Sequence, residues 1–337
     1  ISKDKFNEEI DFLGANINFY ESGASANGLS RYSSRILELL ADGALNPLFT
    51  QADFDAERAK LIEGLKSDEK SASAIAARVQ NVLTFGKEHY NGEFTSEETL
   101  KNVTLQDVIN HYNTYFVPAN AYLVIIGDVK TKEKKKKVEQ LFGADVWKTA
   151  TAPNLTYNDP KDLQYSQINF VDVPNAVQSE IALINLSKLK MNDKDYFAAI
   201  LANQILGGGG EGRLFLNLRE KHGWTYGSYS NLGASKYISK FSSTASVRNA
   251  VTDSAVVEIF NELKRIRTDL VSAEDLKNAK AKYIGNFVMQ IEKPATIARY
   301  ALNIKTLGLP EDFYENYVKN INAVTPEEIG NGGSEDL

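Results

Sequence analysis

The feature that most constrains this chain is that it repeats itself. Ala59-Lys60-Leu61-Ile62 returns as Ala281-Lys282-Tyr283-Ile284, Ile75-Ala76 returns as Ile297-Ala298, and Thr104-Leu105-Gln106-Asp107-Val108 returns as Thr325-Pro326-Glu327-Glu328-Ile329. The order is kept and the offset stays close to 222 residues. Upstream, Phe6 to Gly14 parallels Phe215 to Gly223 at an offset of about 209, each segment reading as a helix that stops on glycine and passes into an alternating strand. Such a chain is expected to build two similar domains: a first repeat over residues 1–146, a linker over 147–160, a second repeat over 161–329 and a tail over 330–337. The second copy has roughly 50 residues, Lys161 to Gly210, ahead of FLNLREKHG, whereas the first has almost nothing ahead of FNEEIDFLG. The first copy is therefore expected to lack its opening, through a cut at Ile1 or a gap that another segment fills.

Hydrophobic spacing supplies the elements. Ser2 to Leu13 reads as a helix ending at Gly14, Ala15 to Glu21 as a strand, and Arg31 to Leu45 as a helix stopped by Asn46-Pro47. A long helix from Asp53 through Leu65 resumes from Ser73 to Leu83, and Ser96 to Leu100 and Leu105 to Tyr115 are helical. Ala121 to Asp128 is expected to be a buried strand. The stretch WKTATAPNLTYNDP is poor in apolar residues and marks the linker. The second copy is expected to open with strands Gln167 to Val173 and Ser179 to Lys188, then a helix from Asp193 to Leu206. Strand Phe241 to Arg248 and helices Thr252 to Arg267, Ala273 to Val288, Ile297 to Leu307 and Phe313 to Asn320 come next, and the tail GNGGSEDL reads as disordered.

A length of 337 residues, 43% of them apolar and 24% charged, fits a soluble globular protein with room for two cores. The net charge of -6 argues against a nucleic-acid surface. Lys134 to Lys137 lie in TKEKKKKVEQLFG, where Val138, Leu141 and Phe142 supply the buried face, so the lysines read as a solvated outer face. Cysteine is absent, which removes disulfides, thiolate metal sites and cysteine nucleophiles. The longest apolar run, Ala121 to Gly127, is too short to span a membrane.

The chemistry-bearing stretch is Gly207 to Ser230, GGGGEGRLFLNLREKHGWTYGSYS. Four glycines lead into a short amphipathic helix carrying Leu214, Phe215 and Leu218, which leaves through His222 and Gly223 into a strand with Trp224, Tyr226 and Tyr229. Arg219 and Tyr226 stand seven residues apart across that turn. A guanidinium offers five fixed donors and a phenol one hydroxyl, a pair suited to gripping a carbonyl or an oxyanion. The plainer reading is an arginine facing solvent at a helix end and a tyrosine in a strand core. Gly207, Gly208, Gly209 and Gly210 either let a substrate backbone pass close or let the chain turn.

With its repeated halves and its LNLREKHGWTYG segment, the chain resembles the insulinase and pitrilysin family of zinc peptidases, and is most similar to the bacterial branch that looks like mitochondrial processing peptidase and is built from paired subunits. The resemblance covers nearly the whole chain. Its carriers are FLGANINFYES, ILELLADGALNP with FDAERAKLIEGL, GEFTSEETLKNVTLQDVINHYNTYFVPANAYLVIIGDV and ILGGGGEGRLFLNLREKHGWTYGSYS. It implies an α+β fold of two homologous domains, each a mostly antiparallel sheet with helices on one face, together enclosing a chamber that admits unfolded peptides. It also implies that Arg219 and Tyr226 contact substrate beside the scissile bond.

The departures are as informative. Members that carry out the chemistry have H-x-x-E-H on a helix, where two imidazoles one turn apart hold Zn²⁺ and the glutamate activates water. Here His89, His111 and His222 are the three histidines, and no two have that spacing. The family's third ligand is a glutamate on the helix that reads ERAKLIEGL in this chain, where alignment on Glu57-Arg58 places Gly64 at the ligand position beside Glu63. The expectation is therefore a chain without a cofactor of its own, the arginine-tyrosine subunit of a two-chain peptidase whose metal-bearing homologous partner holds the zinc. Two alternatives stay open: a self-sufficient zinc endopeptidase whose motif lies before residue 1, and an inert scaffold or binding homologue. The compartment is open, with periplasm or cell envelope favoured over cytoplasm.

Overall fold

The computed structural model describes residues 2–161 and 165–335. It is an α+β protein of many helices and short antiparallel sheets. The first elements in chain order are α1 (Lys3–Leu13), β1 (Asn16–Tyr20), β2 (Gly23–Asn27), α2 (Ser33–Leu45), α3 (Gln51–Asp68), α4 (Ala72–Phe85), α5 (Glu97–Asn102), α6 (Leu105–Tyr115) and α7 (Thr131–Phe142). They are followed by β3 (Gln178–Ser187), α8 (Tyr196–Gly207), α9 (Arg213–Phe215) running on as a π-helical turn over Leu216–Lys221, β4 (Thr225–Leu232) and β5 (Ser239–Arg248). Helices α10 (Thr252–Thr268), α11 (Ala273–Ile291), α12 (Pro294–Thr306), α13 (Tyr317–Ala323) and α14 (Pro326–Glu335) complete the chain. Two compact units emerge, Ile1–Gly64 with Ser96–Thr156, and Leu65–Thr95 with Tyr157–Leu337. Residues 65–95, which the repeat pattern assigns to the first copy, thus group with the second unit.

In the first unit, α1 ends where Gly14 takes a left-handed conformation, φ 57°, that costs glycine nothing. Gly14 N–H then donates to Asp11 O and Ala15 N–H to Ile10 O, which satisfies the last carbonyls and turns the chain into β1. β1 pairs antiparallel with β2, from Asn16 opposite Asn27 to Tyr20 opposite Gly23. Leu13, Ile17, Ile36, Leu37, Leu39 and Leu40 form the core, and Val138, Leu141 and Phe142 of α7 pack on it. Above this core Arg35 donates to Glu9 and Glu38, and Lys137 donates to Glu38. The Lys137 ammonium, followed by the Arg35 guanidinium, holds the Glu38 carboxyl below the usual carboxylate range.

In the second unit, the sheet runs β3-β5-β4, all antiparallel. Alternate residues of β5, namely Phe241, Ser243, Ala245 and Val247, face the core. There they meet Leu201, Leu206, Leu214, Leu218, Ile259 and Ile266, and each fully buried leucine contributes on the order of 2 kcal/mol. Lys240, off that face, donates from Nζ to Asn81 of α4 at 2.7 Å, and burial lowers its pKa. An aromatic layer holds the later helices: Tyr300 and Tyr314 stack at 3.7 Å and Phe287 and Tyr317 at 4.6 Å. Burial pushes the Tyr283 hydroxyl up to about 12.

Three expectations are corrected. Ala121 to Asp128 is no buried strand: it is irregular and unpaired, with Tyr122, Leu123, Ile125 and Ile126 exposed. Gln167 to Val173 is likewise unpaired, and Ile168 is 98% exposed. Apolar β-formers signal a tendency to pair, but a strand exists only where a neighbouring backbone completes its hydrogen bonds, and among the described residues none does so for either segment. The tail is helical to Glu335 rather than disordered; Ile329 is fully buried and Thr325 and Glu328 close a capping box at the helix start. Its last two residues, Asp336 and Leu337, lie outside the described residues. The matching segment of the first copy starts α6 with the same device, Thr104 and Asp107 each bonding the other's backbone N–H.

Helix α8 meets β4 with no side chain between them at Gly207, where an added Cβ would lie 2.4 Å from Ser230 N and 2.7 Å from its Oγ. Gly207→Ala is therefore expected to lower stability by about 1–3 kcal/mol, read as a lower denaturant midpoint; an unchanged midpoint would contradict this contact. Glu38 tests the first unit. Its depressed folded pKa means that its stabilising effect is present above the unfolded carboxylate value and is lost as pH falls through the folded value. At pH 7 Glu38→Gln should be less stable by up to about 1 kcal/mol, shrinking toward zero near pH 3. An equal deficit at both pH values would exclude the ionic contribution.

Candidate functional site

The site begins where α8 ends. Gly207 is buried against Ser230, and Gly212 folds back on it, so that a Cβ there would lie 2.8 Å from Gly207 Cα. Between them Gly208 and Gly209 are half-buried and Gly210 is exposed. Lys282 approaches the loop from α11, its Nζ 3.5 Å from Gly208 O, a cation at a helix C-terminus. Of the four glycines singled out in sequence, Gly207 is thus committed to close packing, and Gly210 presents open backbone.

Leu214, Leu218 and Asn217 anchor the next element in the core, which leaves Arg219 outward and 47% exposed. This element is a widened turn. His222 N–H donates to Asn217 O at 3.2 Å, five residues back, Gly223 N–H to Arg219 O at 2.9 Å and Trp224 N–H to Leu218 O at 3.0 Å. The corresponding end of α1 has bonds one residue shorter, Gly14 to Asp11 and Ala15 to Ile10, although both segments finish on a glycine with φ near 60°, 57° and 62°. Over segments of equal length, the second copy therefore closes its last turn with bonds one residue longer than the first.

Gly223 then turns the chain into β4. Thr225 pairs with Val247 and Ser228 with Ala245, three residues against two, so a bulge lies at Tyr226–Gly227. Thr225 Oγ1 accepts from Gly227 N–H at 3.1 Å and donates to Gly227 O at 2.9 Å, replacing ladder bonds that the bulge removes. As a result Tyr226 and Tyr229, three residues apart, both stay off the core face, and Tyr226 is 87% exposed. The Arg219 guanidinium lies over the Phe215 ring at 4.8 Å and 3.6 Å from Glu220 Oε1. Phe215 contacts Tyr229 at 5.9 Å between centroids, and the Tyr229 ring covers Gly227. A chain of ring contacts, from Phe215 to Tyr229, thus runs from the arginine to Gly227, although no hydrogen bond links Arg219 with Tyr226 among the described residues.

Behind Arg219 lies a polar cluster that no sequence motif announces. Asn217 Nδ2 donates to Glu258 Oε2 at 2.8 Å and to Glu262 Oε1 at 2.9 Å, both on α10. His222 stacks on Trp224 at 4.0 Å, with Nε2 4.0 Å from Glu258 Oε2. Glu262 was discoverable: it takes a place in the buried series Ala255, Ile259, Glu262, Ile266, where helical spacing calls for an apolar residue. Glu258 and Asn217 had no comparable signal.

The residues do not fit a zinc ion. His89 stacks on Phe85 with Nδ1 accepting from Asn91 N–H, and His111 lies beside Tyr115. The Gly64 position opens on space, with nothing within 4 Å of an added Cβ. Among the described residues no group of three or more histidine or carboxylate side chains is placed to hold a metal, and no helix is long and apolar enough to cross a membrane.

The likeness read from the residues has counterparts among known proteins. An uncharacterized zinc protease of Bacillus subtilis, YmxG, is 22% identical over 333 residues, 96% of this chain and 78% of that protein. A probable inactive metalloprotease of the same organism, YmfF, is 22% identical over 245 residues, 73% of this chain and 55% of that protein. The crystal structure of a peptidase M16 inactive domain from Pseudomonas fluorescens superposes with a TM-score of 0.88 at 20% identity, covering 100% of this chain and 81% of that one. Residues 102–283, more than half of the chain, match the family described as the peptidase M16 inactive domain, and the chain belongs to that family.

Proposed function

We propose that this chain is the substrate-contacting, non-metal subunit of a two-chain peptidase, with Arg219 and Tyr226 as its working residues. The reading rests on one observation. Two local irregularities, a π-turn and a β-bulge, each leave a polar side chain, Arg219 and Tyr226, exposed. Regular helix and strand would be easier to build, so their coincidence at the two donors favours use over packing. The partner in this proposal is a homologous subunit with H-x-x-E-H, and the substrate is an unfolded peptide held in a chamber that the two subunits close together. Arg219 and Tyr226 donate to the carbonyl of the scissile peptide bond and stabilise the negative charge that develops on its oxygen. Gly209 and Gly210 let the peptide backbone pass close to the loop. The two repeats, in this account, are diverged copies of which only the second kept the donor pair.

A scaffold reading has one observation in its favour, the ion pair and ring contact that occupy Arg219. Both are weak at an exposed site and yield to a substrate.

The test combines the chain with an H-x-x-E-H homologue from its own genome and tracks cleavage of an unstructured fluorogenic peptide. The isolated chain, washed with chelator, should hold no stoichiometric zinc and cleave nothing; zinc at a 1:1 ratio would contradict the proposal. In the pair, Arg219→Ala should slow cleavage by about 10²- to 10³-fold and Tyr226→Phe by a smaller factor. Wild-type rates in both variants would establish the scaffold instead.

A further inference from the structure

The cluster behind Arg219 carries a specific role. We infer that Asn217, held between Glu258 and Glu262, is a positioning residue that keeps the turn in its widened register and so sets the direction of the Arg219 guanidinium. This rests on the substrate-contacting reading of Arg219 proposed for the subunit.

The geometry supplies the reasons. Asn217 O accepts the five-residue-back bond from His222 N–H, which also reaches Arg219 O, and the Asn217 side chain hydrogen-bonds the turn to α10 beside the 4.0 Å approach of His222 Nε2 to Glu258 Oε2. Its two amide hydrogens are divided between two carboxylates, one on each of Glu258 and Glu262, which lie four residues apart and so on one face of the helix. Bonds to ionised acceptors are stronger than bonds between neutral groups, and Asn217 and Glu262 are only 8% and 7% exposed, so water competes little. The corresponding position in the first copy is Glu8, an exposed residue on a regular helix with ordinary cap bonds. Where the amide clamp exists the turn is wide; where it is replaced the turn is narrow.

Helix geometry gives the consequence for Arg219. Rewinding a turn from five-residue-back to four-residue-back bonds rotates the residues within it around the axis. If the clamp is lost and His222 N–H falls back to Leu218 O, the guanidinium leaves its place over Phe215 and points along another side of the helix. A mispositioned donor still sits on the surface and still attracts peptide, so the loss appears in kcat more than in KM. Asn217 itself touches no substrate.

The experiment uses the reconstituted pair and the same fluorogenic peptide, with the melting temperature of each variant as a check on folding. Asn217→Ala should lower kcat roughly 10- to 100-fold with KM changed far less. In an Arg219→Ala background the same substitution should cost nothing further, because there is no guanidinium left to aim. A purely structural role would instead give losses that multiply. A third variant reverses the polarity of the clamp: with Asn217→Asp, Glu258→Gln and Glu262→Gln together, two carboxamides donate to one carboxylate. It should restore the rate, and it serves where Asn217→Ala alone does not fold. A folded Asn217→Ala with wild-type kcat, a multiplicative loss in the double variant, or a folded triple variant as slow as Asn217→Ala would each overturn the inference. A wild-type rate in Arg219→Ala alone is a separate result, which overturns the subunit reading.

Discussion

The second unit depends on backbone meeting backbone at Gly207. With glycine there and at Gly212, the end of α8 rests against Ser230 of β4, and the loop between folds back on itself. Any side chain at Gly207 would press on Ser230 and on Leu214, one of the fully buried leucines, an added Cβ lying 2.8 Å from Leu214 Cδ1. The π-turn and the bulge both follow this contact in the chain, the turn anchored by Leu218 and the strand by Ser228, each fully buried. Interiors at this density transmit displacement, so the outward direction of Arg219 and Tyr226 is set from beneath.

Much of this was legible in the residues. Apolar spacing located α1, α2, α6, α8, α10 and α11, and the repeat matched two segments that the structure turns out to build as capping boxes, and two helix-ending glycines. What escaped has a common cause. Ala121 to Asp128 and Gln167 to Val173 have strand composition, but pairing depends on a neighbour distant in sequence. The bulge at Tyr226 depends on register against β5, and the polar cluster behind Arg219 depends on Asn217 meeting residues 41 and 45 positions away. Periodicity reports a residue's own element and says little about partners that arrive by folding. Glu262 was the exception, because a carboxylate in an apolar stripe must find a donor.

Membership of the M16 inactive-domain family and the chemistry of this chain's histidines agree with each other. His89, His111 and His222 are each engaged with an aromatic neighbour, and Gly64 of the helix that reads ERAKLIEGL opens on space. A fold can outlast the site it once framed, and what remains is argued from the side chains still present. Here those include an exposed guanidinium at Arg219 and an exposed phenol at Tyr226, with Asn217 bonded to two carboxylates behind the arginine.

The most direct measurement of the central claim is a crystal structure of this chain with its metal-bearing homologue and a non-cleavable extended peptide. The account predicts the Arg219 guanidinium and the Tyr226 hydroxyl both at about 3 Å from one peptide carbonyl oxygen, with the Asn217 bonds to Glu258 and Glu262 intact. A peptide seated away from both donors, with Arg219 still stacked on Phe215 and paired to Glu220, would contradict it.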